Sequence, residues 1–110
     1  GTMAAAGEEA YTEASIRAAL KAKLSPSRLA VVDNSGGCGL SFVMLIVSDG
    51  FSGELPLKRQ RKVHEALGEE AMAAIHAVEI QALTEAQFQK RHGEGKFPPA
   101  LIAALQPPLA

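Results

Sequence analysis

The chain has one cysteine, no tryptophan, one tyrosine and four phenylalanines in 110 residues. A lone cysteine excludes an internal disulfide, so the fold is not a disulfide framework, and a reducing compartment is the easier reading. No apolar run approaches the about 20 residues that cross a bilayer as a helix. The N-terminus shows no charged region leading into an apolar core, so no signal peptide is visible. Neither sign of charge dominates, since 11 Lys and Arg stand against 12 Asp and Glu. That balance gives no global argument for nucleic acid or a membrane surface. Internal repeats are absent as well. The length suits one domain with a modest core.

What is present is organised around Ser35-Gly36-Gly37-Cys38-Gly39, a glycine-rich loop that holds the only cysteine. Apolar segments flank it, Leu29-Ala30-Val31-Val32 before and Phe42-Val43-Met44-Leu45-Ile46-Val47 after. Two β-rich runs joined by a glycine loop predict a hairpin, with strands near Leu29–Asn34 and Ser41–Asp49. Glycines at three of the five loop positions open backbone conformations closed to other residues, so Cys38 can be displayed at the tip. The second strand is apolar on both alternating faces, which predicts a central position.

Residues 1–11 are small and polar and read as a frayed segment, with Gly1-Thr2 ahead of Met3 resembling an expression scar. Thr12 is a candidate N-cap for a helix through Leu24, whose Ile16, Ala19, Leu20 and Leu24 form one apolar face. After the hairpin, a helix is expected from Pro56 to Leu67. Leu57, Val63, Ala66 and Leu67 would face inward, and Lys58, Arg59, Arg61 and Lys62 would face water. Gly68 breaks it. Glu69–Ile75 makes a short helix with acid in its first turn, where the helix dipole favours it. His76–Leu83 alternates as a strand with one solvated face, and Thr84-x-x-Gln87 fits a capping box for a last helix to about His92. The order is α-β-β-α-α-β-α, one small three-stranded mixed sheet with helices packed on one face. A tail over 93–110 carries Pro98-Pro99 and Pro107-Pro108 around a segment long enough for a helical turn or two. Such a turn is marginal unless it packs on something.

The ordered set Val31-Val32-Asp33, Ser35-Gly36-Gly37-Cys38-Gly39, Ser41-Phe42, Val47-Ser48, Phe51-x-Gly53, Leu57-x-Arg59-x-Arg61-x-Val63, Ala66-Leu67, Glu69-Glu70, Ile75-His76-Ala77 and Leu83-Thr84 resembles the BolA family. The resemblance covers roughly Thr12 to Arg91. Its glycine-glycine-cysteine-glycine loop is most similar to eukaryotic members of the cytosolic and nuclear type. It implies an α/β (α+β) fold of the αββααβ kind with a class II KH-like arrangement, here over residues 12–92. It also implies that the chain is no enzyme. Members pair with monothiol glutaredoxins carrying a Cys-Gly-Phe-Ser site, and with glutathione the heterodimer holds a bridging [2Fe-2S] cluster for iron trafficking or iron sensing. The ligand roles on the BolA side fall on Cys38 and His76. One cysteine and one histidine cannot fill the four ligand positions of such a cluster, so the chain carries half a site. The resemblance further implies a monomer, cluster-free when alone, in the cytoplasm or nucleus, with an organellar location left open. The pattern departs from the family at Gln60, where a histidine is frequent, at Pro56, and in the tail.

Plainer roles stand beside these. Cys38 can be an inert loop thiol, and His76 can cap the preceding helix. His64 reads as a solvated surface residue, and His92 as a cation suited to a helix end. The run Lys58-Arg59-Gln60-Arg61-Lys62 supports an alternative, a nucleic-acid-binding regulator using that basic helix and the KH-like fold. KH domains, however, clamp backbone with a Gly-x-x-Gly loop between two helices. Here that spelling lies between strands, and the helix junction is the acidic Gly68-Glu69-Glu70. The basic face can equally meet the carboxylates of a glutaredoxin or of glutathione. A Cys/His pair can also make a thiol nucleophile, but no third orienting group is recognisable.

Overall fold

A computed structural model describes residues 11–36 and 41–109. Cys38 and the segment 1–10 lie outside the described residues. Helix α1, Glu13–Leu24, begins at Thr12, whose hydroxyl accepts from Ser15 N while Ser15 Oγ accepts from Thr12 N, a reciprocal cap of two otherwise orphaned donors. It ends where Ser25 turns left-handed, at φ +46°. Strands β1, Arg28–Asp33, and β2, Ser41–Val47, pair antiparallel from Arg28 opposite Val47 to Asp33 opposite Phe42.

Strand β2 stops two residues earlier than the sequence predicts. Ser48 leaves it to cap a 3-10 turn, Asp49–Phe51, by accepting from Gly50 N at 3.1 Å. A side chain that satisfies the local backbone competes with the ladder, and here it wins. Helix α2, Pro56–Leu67, and helix α3, Glu69–Ala74, follow with Gly68 alone between them at φ +91°. Strand β3, Ala77–Leu83, then runs parallel to β2, so the sheet order is β1-β2-β3 with β2 central, as its doubly apolar pattern predicts. Helix α4, Glu85–Gly93, opens on the expected box, Thr84 with Gln87, and α5, Pro99–Ala103, is a single turn.

The α+β class with a three-stranded mixed sheet stands as read, but helices do not cover one face alone. On the first face, α1 and α2 bring Ile16, Leu20, Val63 and Ala66 onto Leu29, Val31, Phe42, Met44 and Ile46, with Phe51 completing the layer. On the second face, Ala30, Leu45, Val47 and Leu83 are covered by Phe88 of α4 and by Phe97, Leu101 and Leu105 of the tail. A strand apolar on both sides cannot leave one side wet, and the tail supplies the missing layer. The main chain ties it down: Leu29 N donates to Gln106 O at 3.0 Å, and Gln106 N donates back to Leu29 O at 2.8 Å.

Helix α2 also sits differently from the expectation. Leu57 is 63% exposed, whereas Arg59 is buried at 8%. At about 100° per residue, Arg59, Val63 and Ala66 fall on one stripe, and Leu57 lies well off it. The buried guanidinium fastens three segments. Its Nε donates to Glu54 O at 2.9 Å, and its Nη1 donates to Ala82 O at 3.0 Å and Gln87 Oε1 at 2.7 Å. Phe51 lies beneath it, with the ring centroid 5.9 Å away.

Candidate functional site

The parallel register decides which chain segments meet at the end of the sheet. Ser41, the first residue after positions 37–40, pairs with Ala77, and His76 directly precedes Ala77. Neighbouring strands lie about 4.8 Å apart, so the start of β3 is held beside the C-terminal end of the hairpin loop. A parallel pair needs a crossover, and here α2 and α3 provide it. Residues far apart in the chain are thereby brought to one end of the sheet. His76 is exposed there.

The base of the hairpin loop is fixed from several sides. Glu13 of α1 accepts from Asp33 N at 2.8 Å, and Asn34 N donates to Ser41 O at 2.7 Å. Asp33 Oδ1 accepts from both the amide and the hydroxyl of Ser35, and Gly36 takes a positive φ of 80°. Cys38 stands three positions ahead of Ser41 in the sequence, outside the described residues. Among the described residues there is no cluster of three or more His, Cys, Asp or Glu that could enclose a metal ion. A donor described at this end of the sheet is the exposed His76 imidazole, which can fill a single ligand position.

The basic helix is less available than its sequence suggests. Arg59 points inward, so the solvent-facing set loses it. Lys62 bonds Glu54 Oε2 at 2.6 Å and Lys58 approaches the same oxygen at 3.7 Å. The Lys62 contact, helped by Lys58, holds the Glu54 carboxyl below the usual carboxylate range. Arg61 alone of the four is exposed with no ion pair among the described residues. A phosphate backbone would have to compete with Glu54 for both lysines. The α2–α3 junction carries Glu69 and Glu70, which adds repulsion.

His64 is exposed, as read from the sequence, and His92 stacks on Phe88 at 5.7 Å in the last turn of α4. Two residues that sequence reasoning missed hold the site's frame. Gln60 donates to Ile80 O at 3.1 Å, two residues along β3 from the Arg59 contact on Ala82 O. The spacing of Arg59 with Val63 and Ala66 was the signal available for Arg59; nothing in the sequence marks the Gln60 contact. At the opposite end of β3, Arg28 and Glu85 form a bidentate pair at 3.0 and 2.9 Å. That pairing holds Glu85 below the usual carboxylate range.

Comparison with known proteins agrees with this architecture. A family model described as BolA-like protein matches residues 20–87. The chain is 42% identical over 95 residues to BolA-like protein 1 of Mus musculus, spanning 81% of this chain and 69% of that one. It is 47% identical over 70 residues to Protein BOLA2 of Arabidopsis thaliana, spanning 64% and 74%. Among solved structures, that of BolA1 from Mus musculus superposes with a TM-score of 0.66 at 43% identity, over 81% of this chain and 77% of that one. A bol-like protein from Babesia bovis gives 0.65 at 40% identity, over 74% and 93%. The matched stretch contains the hairpin loop, α2 and β3, and ends ahead of Phe97, Leu101 and Leu105.

Proposed function

The chain belongs to the BolA-like protein family, and from that premise we propose that it is a non-enzymatic adaptor for iron–sulfur cluster trafficking or iron regulation. It pairs with a monothiol glutaredoxin and shares a bridging [2Fe-2S] cluster through Cys38 and His76. The observation that supports this reading is the pairing of Ser41 with Ala77, which holds His76 beside the loop that carries Cys38.

Each ligand has its own chemical part. His76, exposed at the start of β3, offers a ring nitrogen to a metal brought by another molecule. The Cys38 thiolate adds the softer donor that iron in such clusters favours. Imidazole in place of thiolate lowers the site's negative charge, and the cluster supplies the electron-accepting iron. With two donors the chain leaves the remaining positions to the glutaredoxin cysteine and glutathione. A half-filled site of this kind suits transfer better than storage. The basic helix adds contacts for carboxylates through Arg61.

Anaerobic mixing of the protein with a Cys-Gly-Phe-Ser glutaredoxin, glutathione, iron and sulfide tests the reading. The expected outcome is a visible absorption and circular dichroism spectrum distinct from that of the glutaredoxin homodimer, together with a heterodimer by size. An unchanged spectrum with no complex removes the proposal.

A further inference from the structure

A second location, remote from His76, gathers two guanidinium groups. A cavity of about 330 Å³ lies between the start of α2, the outer edge of β3 and α4. It flanks Ile80–Leu83, about 13–23 Å along the strand from His76. Two guanidinium groups line it, Arg59 and Arg91.

Arginine is rarely buried unless it is paired with an anion. Arg59 is buried at 8%, yet every acceptor it meets is neutral: two main-chain carbonyls and the Gln87 amide. Its Nη2 makes no hydrogen bond among the described residues. Arg91 likewise spends only Nη1, on Gln81 Oε1 at 2.9 Å. No carboxylate stands within ion-pairing distance of either guanidinium among the described residues. Glu54 shares the wall, but its charge is matched by Lys62 and Lys58.

We propose that this cavity binds a small carboxylate with a short apolar body, held through the guanidinium groups of Arg59 and Arg91. A planar carboxylate accepts two parallel N–H bonds from a guanidinium fork, which the Nε and Nη2 edge of Arg91 offers, while Arg59 adds a single donor, Nη2. Ile80, Leu83 and Pro56 on the wall suit an aliphatic body rather than a bare inorganic anion. The assignment is independent of the cluster role, because it uses neither Cys38 nor His76.

The test is an NMR titration of the isotopically labelled full chain with sodium isobutyrate at constant ionic strength. Sodium chloride and sodium phosphate serve as parallel titrants. Resonances followed are the arginine Nε–H groups and the amides of Ala82, Leu83 and Gln87. Saturable shifts confined to these groups are expected, with half-saturation on the order of millimolar for so small a ligand. Arg91→Gln, at an exposed position that leaves the Arg59 contacts in place, should weaken that binding roughly tenfold without moving the melting midpoint. Linear shifts with isobutyrate, equal affinity in Arg91→Gln, or saturation by phosphate alone would each overturn the proposal.

Discussion

Replacing Leu105 with alanine, beside the matched replacement of Leu57, measures how far the tail belongs to the folded body. Leu105 is 1% exposed and packs with Ala30, Leu45, Val47 and Phe88 on the second face of the sheet. Truncation to alanine removes three carbons from that contact and leaves a cavity. Its neighbours cannot close the gap easily, because Gln106 beside it is fixed to Leu29 by two main-chain hydrogen bonds. The cost is about 3 kcal/mol, within the usual range of about 2–5 for buried leucine. Leu57 is 63% exposed on α2, so Leu57→Ala should stay within about 0.5 kcal/mol. Urea unfolding separates the two. With a slope of about 1.5 kcal/mol/M for a domain of this size, Leu105→Ala should lower the midpoint by about 2 M, and Leu57→Ala should leave it in place. Equal midpoints for Leu105→Ala and the parent chain would refute the packed tail. A large loss in Leu57→Ala would refute the orientation of α2.

Further outcomes follow from other parts of the molecule. Gly68 joins α2 to α3 at φ +91° and ψ 160°, a region open essentially to glycine, so Gly68→Ala should lose about 1–3 kcal/mol in the same urea assay although a Cβ there meets no neighbour. Glu54 and Glu85 both hold folded pKa values below their ordinary 4.5, so the stability they contribute is complete above that value and is lost as the pH falls below it. Urea midpoints taken from about pH 6 to about pH 3 should fall, and Glu85→Gln should flatten the descent. His76→Ala should leave the urea midpoint within about 0.5 kcal/mol, since the residue is exposed, while abolishing the heterodimer cluster spectrum. An unchanged spectrum in that variant removes His76 from the site. Cys38→Ala should weaken cluster retention and leave cluster-free association with the glutaredoxin intact, as judged by size-exclusion chromatography.

The elements legible in the sequence were those written in local chemistry. Thr12 with Ser15 and Thr84 with Gln87 spell their caps within four residues, and both helices start there. The doubly apolar β2 announced a central strand, and the structure places it between the other two. The errors arose where the decisive partner was remote. Arg59 looked like one of four solvated cations because its acceptors, Ala82 O and Gln87 Oε1, belong to elements that only the parallel crossover brings near. Leu57 looked inward because it is apolar, although its phase on α2 is wrong. Phe97, Leu101 and Leu105 gave no periodic signal strong enough to name the face they cover. At the candidate site, the residue types were readable from the resemblance, but only the Ser41–Ala77 register shows His76 beside the loop end.

The side chains and tail that fasten β1 and β3 have a consequence for how this protein keeps apart from its own copies. A three-stranded open sheet has two free borders, each a template on which another chain can add a strand. On β1, Leu29 spends both its N–H and its C=O on Gln106. On β3, Gln60 and Arg59 occupy the carbonyls of Ile80 and Ala82. An incoming strand would have to displace a main-chain pair at one border and two side-chain donors at the other. The same contacts that complete the core therefore also guard the sheet against edge-to-edge aggregation.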